Sequence, residues 1–211
     1  MVVARKKLAL PALELAPLLL GAVLVSDVGG DRVAVRLTEV EAYAGLDDPA
    51  SHAYRGMTRR TAVMFGPAGH LYCYFTYGMH WCANVVCGVD GVAAAVLLRA
   101  GEIVDGVELA QLRRPAARAS RELARGPARL AAALGLGRET DGVDLCDPAS
   151  PVRLESLPRR AASEICTGPR VGISVAAERP WRFWLPNEPS VSPFKAGGRN
   201  RLPVTGQTGQ P

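Results

Sequence analysis

Two glutamates fall within a stretch that is predicted to form a strand. Between Val33 and Glu41 the apolar residues alternate with other types, and the two-residue period of a strand continues this apolar face through Glu39 and Glu41. An ionised carboxylate on a buried face is costly unless it is paired or used. Two neighbouring carboxylates raise each other's pKa, and partial burial adds to that rise, which favours general acid–base catalysis. The alternative is a strand that ends before Glu39 and leaves both groups solvated.

Aromatic side chains are concentrated in one predicted hairpin. Two strands, at 70–76 and 81–86, flank a turn at 77–80. This segment holds five of the twelve aromatic residues of the chain: Tyr72, Tyr74, Phe75, Tyr77 and Trp81. An exposed ring at the tip can wedge between nucleobases, and a face of tyrosines can stack against one. The alternative is a core strand whose rings pack against helices, as aromatic residues commonly do.

Asn84 and Arg99 are polar residues inside apolar runs that are predicted to be strands. Each is either a structural polar group, satisfied by hydrogen bonds within the fold, or a contact to a ligand. The local sequence leaves both possibilities open.

The sequence predicts neither a metal nor a nucleotide cofactor. His70, Cys73, His80 and Cys82 are residue types that bind zinc. On a strand, however, residues 70 and 73 point to opposite faces, and the His-x-Glu and Pro-Cys-x-x-Cys signature of zinc nucleobase deaminases is absent. No glycine-rich phosphate-binding motif stands between a predicted strand and a helix.

Lysine is scarce in this chain, because 22 of its 25 basic side chains are arginine. The three lysines, Lys6, Lys7 and Lys195, lie near the ends of the sequence, outside the candidate site segments. Covalent imine chemistry requires a nucleophilic amine, usually that of a lysine. We therefore expect any reaction at a sugar carbon to use water.

Composition is typical of one cytoplasmic globular domain. Of the 211 residues, 48% are apolar and 21% charged, and no apolar run is long enough to span a membrane. The five cysteines form no Cys-x-x-Cys pair, which indicates reduced thiols. The net charge of +5 allows a polyanionic partner. Five arginines form either a phosphate-contacting patch or a solvated helical face: Arg113, Arg114, Arg118, Arg121 and Arg125.

The predicted elements amount to a single mixed α/β domain over residues 1–195. A helix at 12–20 precedes a hairpin of strands at 22–26 and 33–41, and the aromatic hairpin follows a glycine- and proline-rich loop at 45–67. A strand at 92–99 leads into a helical segment at 107–136, broken at 115 and 126–127. Strands at 170–175 and 181–185 close a curved, mainly antiparallel sheet flanked by helices. Residues 196–211 are expected to be a disordered tail.

Several short motifs occur in a fixed order along the chain. The most specific pair is Glu41-Ala-Tyr43 followed by Tyr77-Gly-Met-His80. The others are Ala50-Ser-His-Ala53, Met64-Phe-Gly-Pro67, Asn84-Val-Val86, Leu97-Leu-Arg-Ala100, Gly126-Pro127 and Arg170-Val-Gly-Ile173. Together they resemble the 3-methyladenine (alkyladenine) DNA glycosylase family, and the similarity extends over residues 12–192.

The resemblance implies a role for each motif position. Glu41 matches the general base that activates the attacking water, and Arg99 matches the arginine beside that water and a phosphate. The base pocket is matched by Tyr43, His52 and Tyr74, which sandwich the flipped base, and by Asn84, which disfavours guanine. At the hairpin tip, Tyr77 matches the wedge that intercalates into DNA, with Met79 beside it. The resemblance assigns Glu39 no clear role.

The implied activity is that of a monofunctional DNA glycosylase in base excision repair. Such an enzyme flips an alkylated purine out of double-stranded DNA and hydrolyses its N-glycosidic bond, leaving an abasic site. 3-Methyladenine is the expected substrate, with 7-methylguanine, etheno-adenine and hypoxanthine as further candidates. We expect a cytoplasmic monomer that needs no cofactor and reaches the nucleoid through DNA. The alternatives are a non-catalytic damaged-DNA-binding module and an RNA-modifying enzyme of the same fold.

Overall fold

The computed structural model describes residues 1–158 and 161–197. Eight strands occur in this part of the chain: β1 (Val23–Ser26), β2 (Val33–Tyr43), β3 (Leu71–Thr76), β4 (His80–Val86), β5 (Ala95–Asp105), β6 (Val152–Glu155), β7 (Cys166–Gly168) and β8 (Arg182–Trp184). The same part contains three α-helices: α1 (Ala12–Leu19), α2 (Val107–Arg113) and α3 (Pro127–Leu134). The expectation of a disordered tail at 196–211 lies, apart from residues 196 and 197, outside the described residues.

The eight strands form one open, antiparallel sheet. Six of them follow the order β3-β4-β5-β2-β1-β6, and β7 and β8 lie off this path. β2 is its central strand and pairs along one side with β5. On the other side, β2 pairs first with β1 and then, at residues 39–41, with β8, which in turn pairs with β7. This arrangement confirms the predicted single mixed α/β domain with a mainly antiparallel sheet and two hairpins.

β2 changes faces at a bulge, which corrects the predicted alternation. Thr38 is an extra residue between the pairs Leu37–Gly101 and Glu39–Ala100, and the next irregularity leaves Arg99 extra on β5. Because one extra residue reverses the alternation, Val40 and Ala42 continue the core face that Leu37 occupies before the bulge. The two glutamates therefore lie on the face opposite the core. They are nevertheless completely buried, so the alternative of an early strand end is wrong.

Other predicted strand boundaries need correction as well. β5 begins at Ala95 and continues to Asp105, beyond the predicted 92–99. Residues 170–175 form no strand, because Arg170 turns inward to a buried carboxylate and the backbone N–H of Val171 binds a side chain instead of a neighbouring strand. β6 and β7 lie in segments for which the sequence predicts no strand. The prediction of a strand at 181–185 matches β8.

The helices pack on the core face of the sheet. α1 contacts β2, while α3 contacts β4 and β5. Leu15, Leu19, Leu130 and Leu134 from these two helices are fully buried in the main apolar cluster. As predicted, helical structure between 107 and 136 is interrupted around residue 115 and resumes after residue 126. Helices thus cover one face of the sheet and leave the opposite face of β2–β5 available for a site.

Candidate active site

Glu41 lies near the end of β2 and is completely buried. Its Oε1 accepts a hydrogen bond from the backbone N–H of Val171 at 2.7 Å and lies 3.3 Å from Nη1 of Arg99. Its Oε2 accepts a hydrogen bond from the hydroxyl of Tyr43 at 2.9 Å. An ionised carboxylate has about four acceptor positions, so these three donors leave one position on Oε2 for a donor such as water.

Burial raises the pKa of Glu41 above the usual value for a glutamate. Arg99, the N–H of Val171 and the hydroxyl of Tyr43 lower that pKa, whereas the negative charge of Glu39 raises it. Burial also raises the pKa of Tyr43 well above 10, with the adjacent carboxylate adding to the rise. Tyr43 therefore stays a hydrogen-bond donor to Glu41, whose raised pKa moves it toward the range of an effective general base.

Arg99 extends from the bulge on β5 toward both buried glutamates. Its Nε donates a hydrogen bond to Oε1 of Glu39 at 2.8 Å, and its Nη2 donates to Oγ of Ser192 at 3.3 Å. Only 6% of Arg99 is exposed, yet it lines the pocket in front of Glu41. A guanidinium stays charged under all physiological conditions, so Arg99 supplies a fixed positive charge there.

A pocket of about 250 Å³ is lined by Arg99, Tyr43 and Val171, the three residues that contact Glu41, whereas the Glu41 side chain itself does not line it. The predicted base-binding residues Tyr43, His52, Tyr74 and Asn84 all line it. Tyr77 of the hairpin tip also reaches its rim. The structure thus brings together predicted site residues that span 58 positions, from Glu41 to Arg99, and adds Val171, which lies 130 positions after Glu41.

Three rings form one wall of the pocket. His52 packs edge-on against Tyr74 at a centroid distance of 4.5 Å, and Tyr72 and Tyr74 are stacked at 5.7 Å. Nδ1 of His52 lies 3.2 Å from the hydroxyl of Tyr72. Burial of the His52 ring against Tyr72 and Tyr74 lowers its pKa to about 4, and the charge of Arg60 adds to this effect. His52 is therefore a neutral surface at physiological pH, suited to stacking.

Asn84 lies on β4 and is 5% exposed. Its Nδ2 donates a hydrogen bond to the backbone carbonyl of Tyr72, its partner across the β3–β4 pair, at 3.0 Å. Because a carbonyl can only accept, this contact fixes the orientation of the amide. The Asn84 side chain is thereby held as a rigid part of the pocket wall.

The β3–β4 hairpin presents an exposed apolar tip. Tyr77 is 84% exposed and Met79 68% exposed, while Phe75 on the strand before them is also exposed. Tyr77 has a φ of 53° and Gly78 a φ of 67°, the left-handed pair of a tight hairpin turn. A tyrosine is strained at positive φ, and such strain is retained mainly where the position serves a function.

Arg170 supports the pocket from behind and was not singled out by its local sequence. It is 1% exposed and forms a bidentate ion pair with Asp48, which is fully buried. Its guanidinium also lies 4.6 Å from the centre of the Tyr43 ring and 5.0 Å from that of Trp181. The ion pair ties the loop after β2 to the segment that supplies the N–H of Val171. The sequence marks it only as the first residue of the motif Arg170-Val-Gly-Ile173.

Several other sequence features lie outside the pocket. Within residues 1–158 and 161–197, no three His, Cys, Asp or Glu side chains converge as metal ligands. The arginine cluster is not one face: Arg113, Arg114 and Arg125 bind backbone carbonyls, whereas Arg118 and Arg121 are exposed. No helix in the described part of the chain combines the length and apolarity needed to cross a membrane.

Comparison with known proteins identifies the family to which this chain belongs. A sequence model of the family described as methylpurine-DNA glycosylase matches residues 6–189. A protein of Streptomyces avermitilis is 54% identical over 194 residues, covering 91% of each chain, and one of Nocardia farcinica is 55% identical over 186 residues, covering 86% of each. A protein of Mycobacterium tuberculosis is 48% identical, covering 92% of this chain and 95% of its own. All three carry the provisional name 3-methyladenine DNA glycosylase.

The site thus combines a buried carboxylate, an aromatic pocket lined by its hydrogen-bond partners, and an exposed hairpin tip. The chain belongs to the methylpurine-DNA glycosylase family, a class of DNA-repair glycosylases. The predicted resemblance is confirmed.

Proposed function

We propose that this protein excises alkylated purines, with 3-methyladenine as the principal substrate, from double-stranded DNA. It hydrolyses the N-glycosidic bond and leaves an abasic site without cutting the strand. 7-Methylguanine, etheno-adenine and hypoxanthine fall within the proposed substrate range. The observation that carries the proposal is the buried Glu41 carboxylate, which keeps one free acceptor position next to Arg99 beside a pocket suited to a single base.

Glu41 acts as the general base in this mechanism. The free acceptor position on Oε2 takes a hydrogen bond from the water that attacks C1′ of the flipped nucleotide. As the glycosidic bond breaks, positive charge develops on the sugar, and the ionised carboxylate stabilises it. Arg99 lies beside the carboxylate and holds the neighbouring DNA phosphate. Water adds to C1′, its proton passes to Glu41, and the purine leaves with the bonding electrons.

The leaving group explains why one carboxylate suffices. Methylation at N3 or N7 makes the purine cationic, so it departs as a neutral base and needs little assistance from an acid. Its electron-poor ring stacks well between Tyr43 on one side and His52 with Tyr74 on the other. In this proposal Asn84, fixed by its bond to Tyr72, crowds the 2-amino group of guanine and disfavours undamaged guanine.

The hairpin tip opens the duplex. A base inside a duplex is unreachable, and unstacking it costs a few kcal/mol. The exposed ring of Tyr77 fills the vacated space, and Met79 packs beside it in the groove. The net charge of +5 favours the approach to DNA. We propose that the protein acts as a monomer in the cytoplasm, without a cofactor.

The decisive experiment measures release of free methylated purines from methylated duplex DNA in single-turnover conditions. Glu41→Gln keeps the shape of the side chain but removes the base, so we expect at least a hundredfold lower rate. Glu108→Gln, which changes an exposed glutamate on α2, is the matched control and should retain the wild-type rate.

Two outcomes would contradict this proposal. Full activity in Glu41→Gln would show that another group activates water. A wild-type protein that binds abasic or mismatched DNA but releases no base would favour the alternative of a non-catalytic binding module.

A further inference from the structure

Glu39 is a second buried carboxylate that the proposed mechanism does not use. It is completely buried, and it accepts four hydrogen bonds. Its Oε1 accepts from Nε of Arg99 at 2.8 Å, from Nε of Arg182 at 2.7 Å and from Oγ of Ser192 at 2.9 Å. Its Oε2 accepts from the backbone N–H of Ser192 at 2.7 Å. Every donor comes from a different part of the chain than β2, so the carboxylate joins β5, β8 and the C-terminal segment.

The charges around Glu39 balance only when both arginines are counted with both glutamates. Arg182 is 4% exposed and pairs with Glu39 alone among the described carboxylates, whereas Arg99 is shared between Glu39 and Glu41. Arg182 is held further by the Ser192 carbonyl at 2.8 Å and by the Trp184 ring at 4.7 Å. A buried charge left uncompensated is strongly destabilising, so the four groups act as one unit.

We propose that Glu39 is a positioning residue for base excision: it holds the Arg99 guanidinium so that only Nη1 faces Glu41, and its negative charge keeps Arg99 from over-stabilising the Glu41 carboxylate. This inference rests on the proposed function of Glu41. Arg182 has the complementary task of neutralising Glu39.

The geometry explains the effect on the base. With Nε bound to Glu39 and Nη2 to Ser192, Arg99 meets Glu41 through one nitrogen at 3.3 Å instead of through a bidentate fork. A bidentate pair would hold the carboxylate more strongly and make it a weaker base. In agreement, Glu39 raises the pKa of Glu41 while Arg99 lowers it.

Other charged and titratable groups also face Glu41, and the test changes Arg182 alone among them. They are Tyr43 on β2, Tyr74 on β3, Arg99 on β5, Arg182 opposite Glu41 on β8, and Arg170 in the loop before Val171. Each substitution below alters only Glu39 or Arg182, neither of which touches the pocket.

The test compares the pH dependence of excision from methylated duplex DNA, corrected for spontaneous depurination. Because Glu41 must be ionised to act, the rate falls as the pH falls through its pKa. Glu39→Gln removes a negative charge and should shift this acid limb to lower pH by about one unit. Arg182→Gln removes a positive charge and should shift it to higher pH by about the same amount. Glu39→Asp and Arg182→Lys keep the charges and should leave the limb in place.

A carbon-13 NMR titration of the Glu41 carboxyl group, assigned with Glu41→Gln, reports the same displacement without DNA. If one of the two charge-removing variants fails to fold, the other still decides the direction. If both variants had lower rates but the rate still fell at the same pH as in the wild type, Glu39 would have a purely structural role and the proposal would be overturned. A wild-type protein that releases no base would instead overturn the proposed function, while the NMR titration would still test the charge coupling.

Discussion

Individual buried charges decide how this site is built. Four fully or nearly buried ionic residues are linked by ion pairs: Glu39, Glu41, Arg99 and Arg182. Glu41 differs from Glu39 in its partners, because its donors Tyr43, Arg99 and Val171 all line the pocket, whereas of the donors to Glu39 only Arg99 does. The other three have their charges matched within the fold.

The Arg170–Asp48 pair gives a prediction of stability. Arg170→Met would leave the fully buried Asp48 carboxylate without its bidentate partner, and such a loss typically costs about 3–5 kcal/mol. We expect a reduction of this size in the free energy of unfolding measured by urea at pH 7. Arg32→Met is the matched control, because Arg32 and its partner Asp105 are both about half exposed. Its cost should stay below about 1 kcal/mol. Equal losses in the free energy of unfolding from the two substitutions would show that the buried Arg170–Asp48 pair stabilises the fold no more than an exposed ion pair does.

At the level of elements, two bulges orient the site. An uninterrupted β2 would keep Glu39 and Glu41 on the helix-covered face, where neither could reach a pocket. The extra residue Thr38 turns both to the open face, and the matching irregularity on β5 turns Arg99 the same way. Bulges change the direction in which side chains point, and here one pair of them brings a buried carboxylate and an arginine together.

The hairpin tip gives the prediction that belongs to this scale. If Tyr77 fills the gap left by a flipped base, Tyr77→Ala should lower excision from duplex DNA at least tenfold, because the cost of unstacking is no longer offset. Excision from single-stranded DNA, which needs no wedge, should change little. Leu112→Ala, which removes another highly exposed apolar side chain, serves as the control. If Tyr77→Ala lowered the excision rate equally on single-stranded and duplex substrates, Tyr77 would not act as a wedge.

The sequence predicts much of this element pattern but not its irregularities. Hydrophobic periodicity and turn residues locate α1, the two hairpins and the helix breaks, because these elements are determined by residues close together in the sequence. The alternation of apolar residues does not reveal a bulge. It therefore predicts correctly that Glu41 is buried, but it places Glu41 on the core face of β2 instead of the opposite face. The loop around Arg170 has the composition of a strand, yet a distant carboxylate, Asp48, determines its path. Likewise, nothing near Ser192 in the sequence indicates its bonds to Glu39.

At the level of the whole molecule, the end of the described chain returns to the site. The C-terminal segment passes beside the loop that supplies the N–H of Val171, and the N–H of Gly172 donates to the carbonyl of Lys195 at 2.9 Å. Ser192 from the same segment closes the cluster around Glu39. A lysine near the end of the sequence is therefore close to the pocket in space, so position in the sequence is not by itself a reason to exclude an amine.

Because Lys195 lies near the pocket, a test for an imine intermediate can distinguish attack by water from attack by a lysine. Hydrolysis by water leaves no covalent intermediate, whereas attack by an amine on C1′ forms an imine that borohydride reduces to a stable protein–DNA adduct. We expect no adduct above background when wild-type protein, methylated duplex DNA and borohydride are combined during turnover. The Lys195→Arg variant keeps the charge and removes this candidate amine, so it should excise at the wild-type rate. An adduct that forms with the wild type and disappears in Lys195→Arg would replace water by Lys195 as the nucleophile, and Glu41 would then serve to deprotonate that amine.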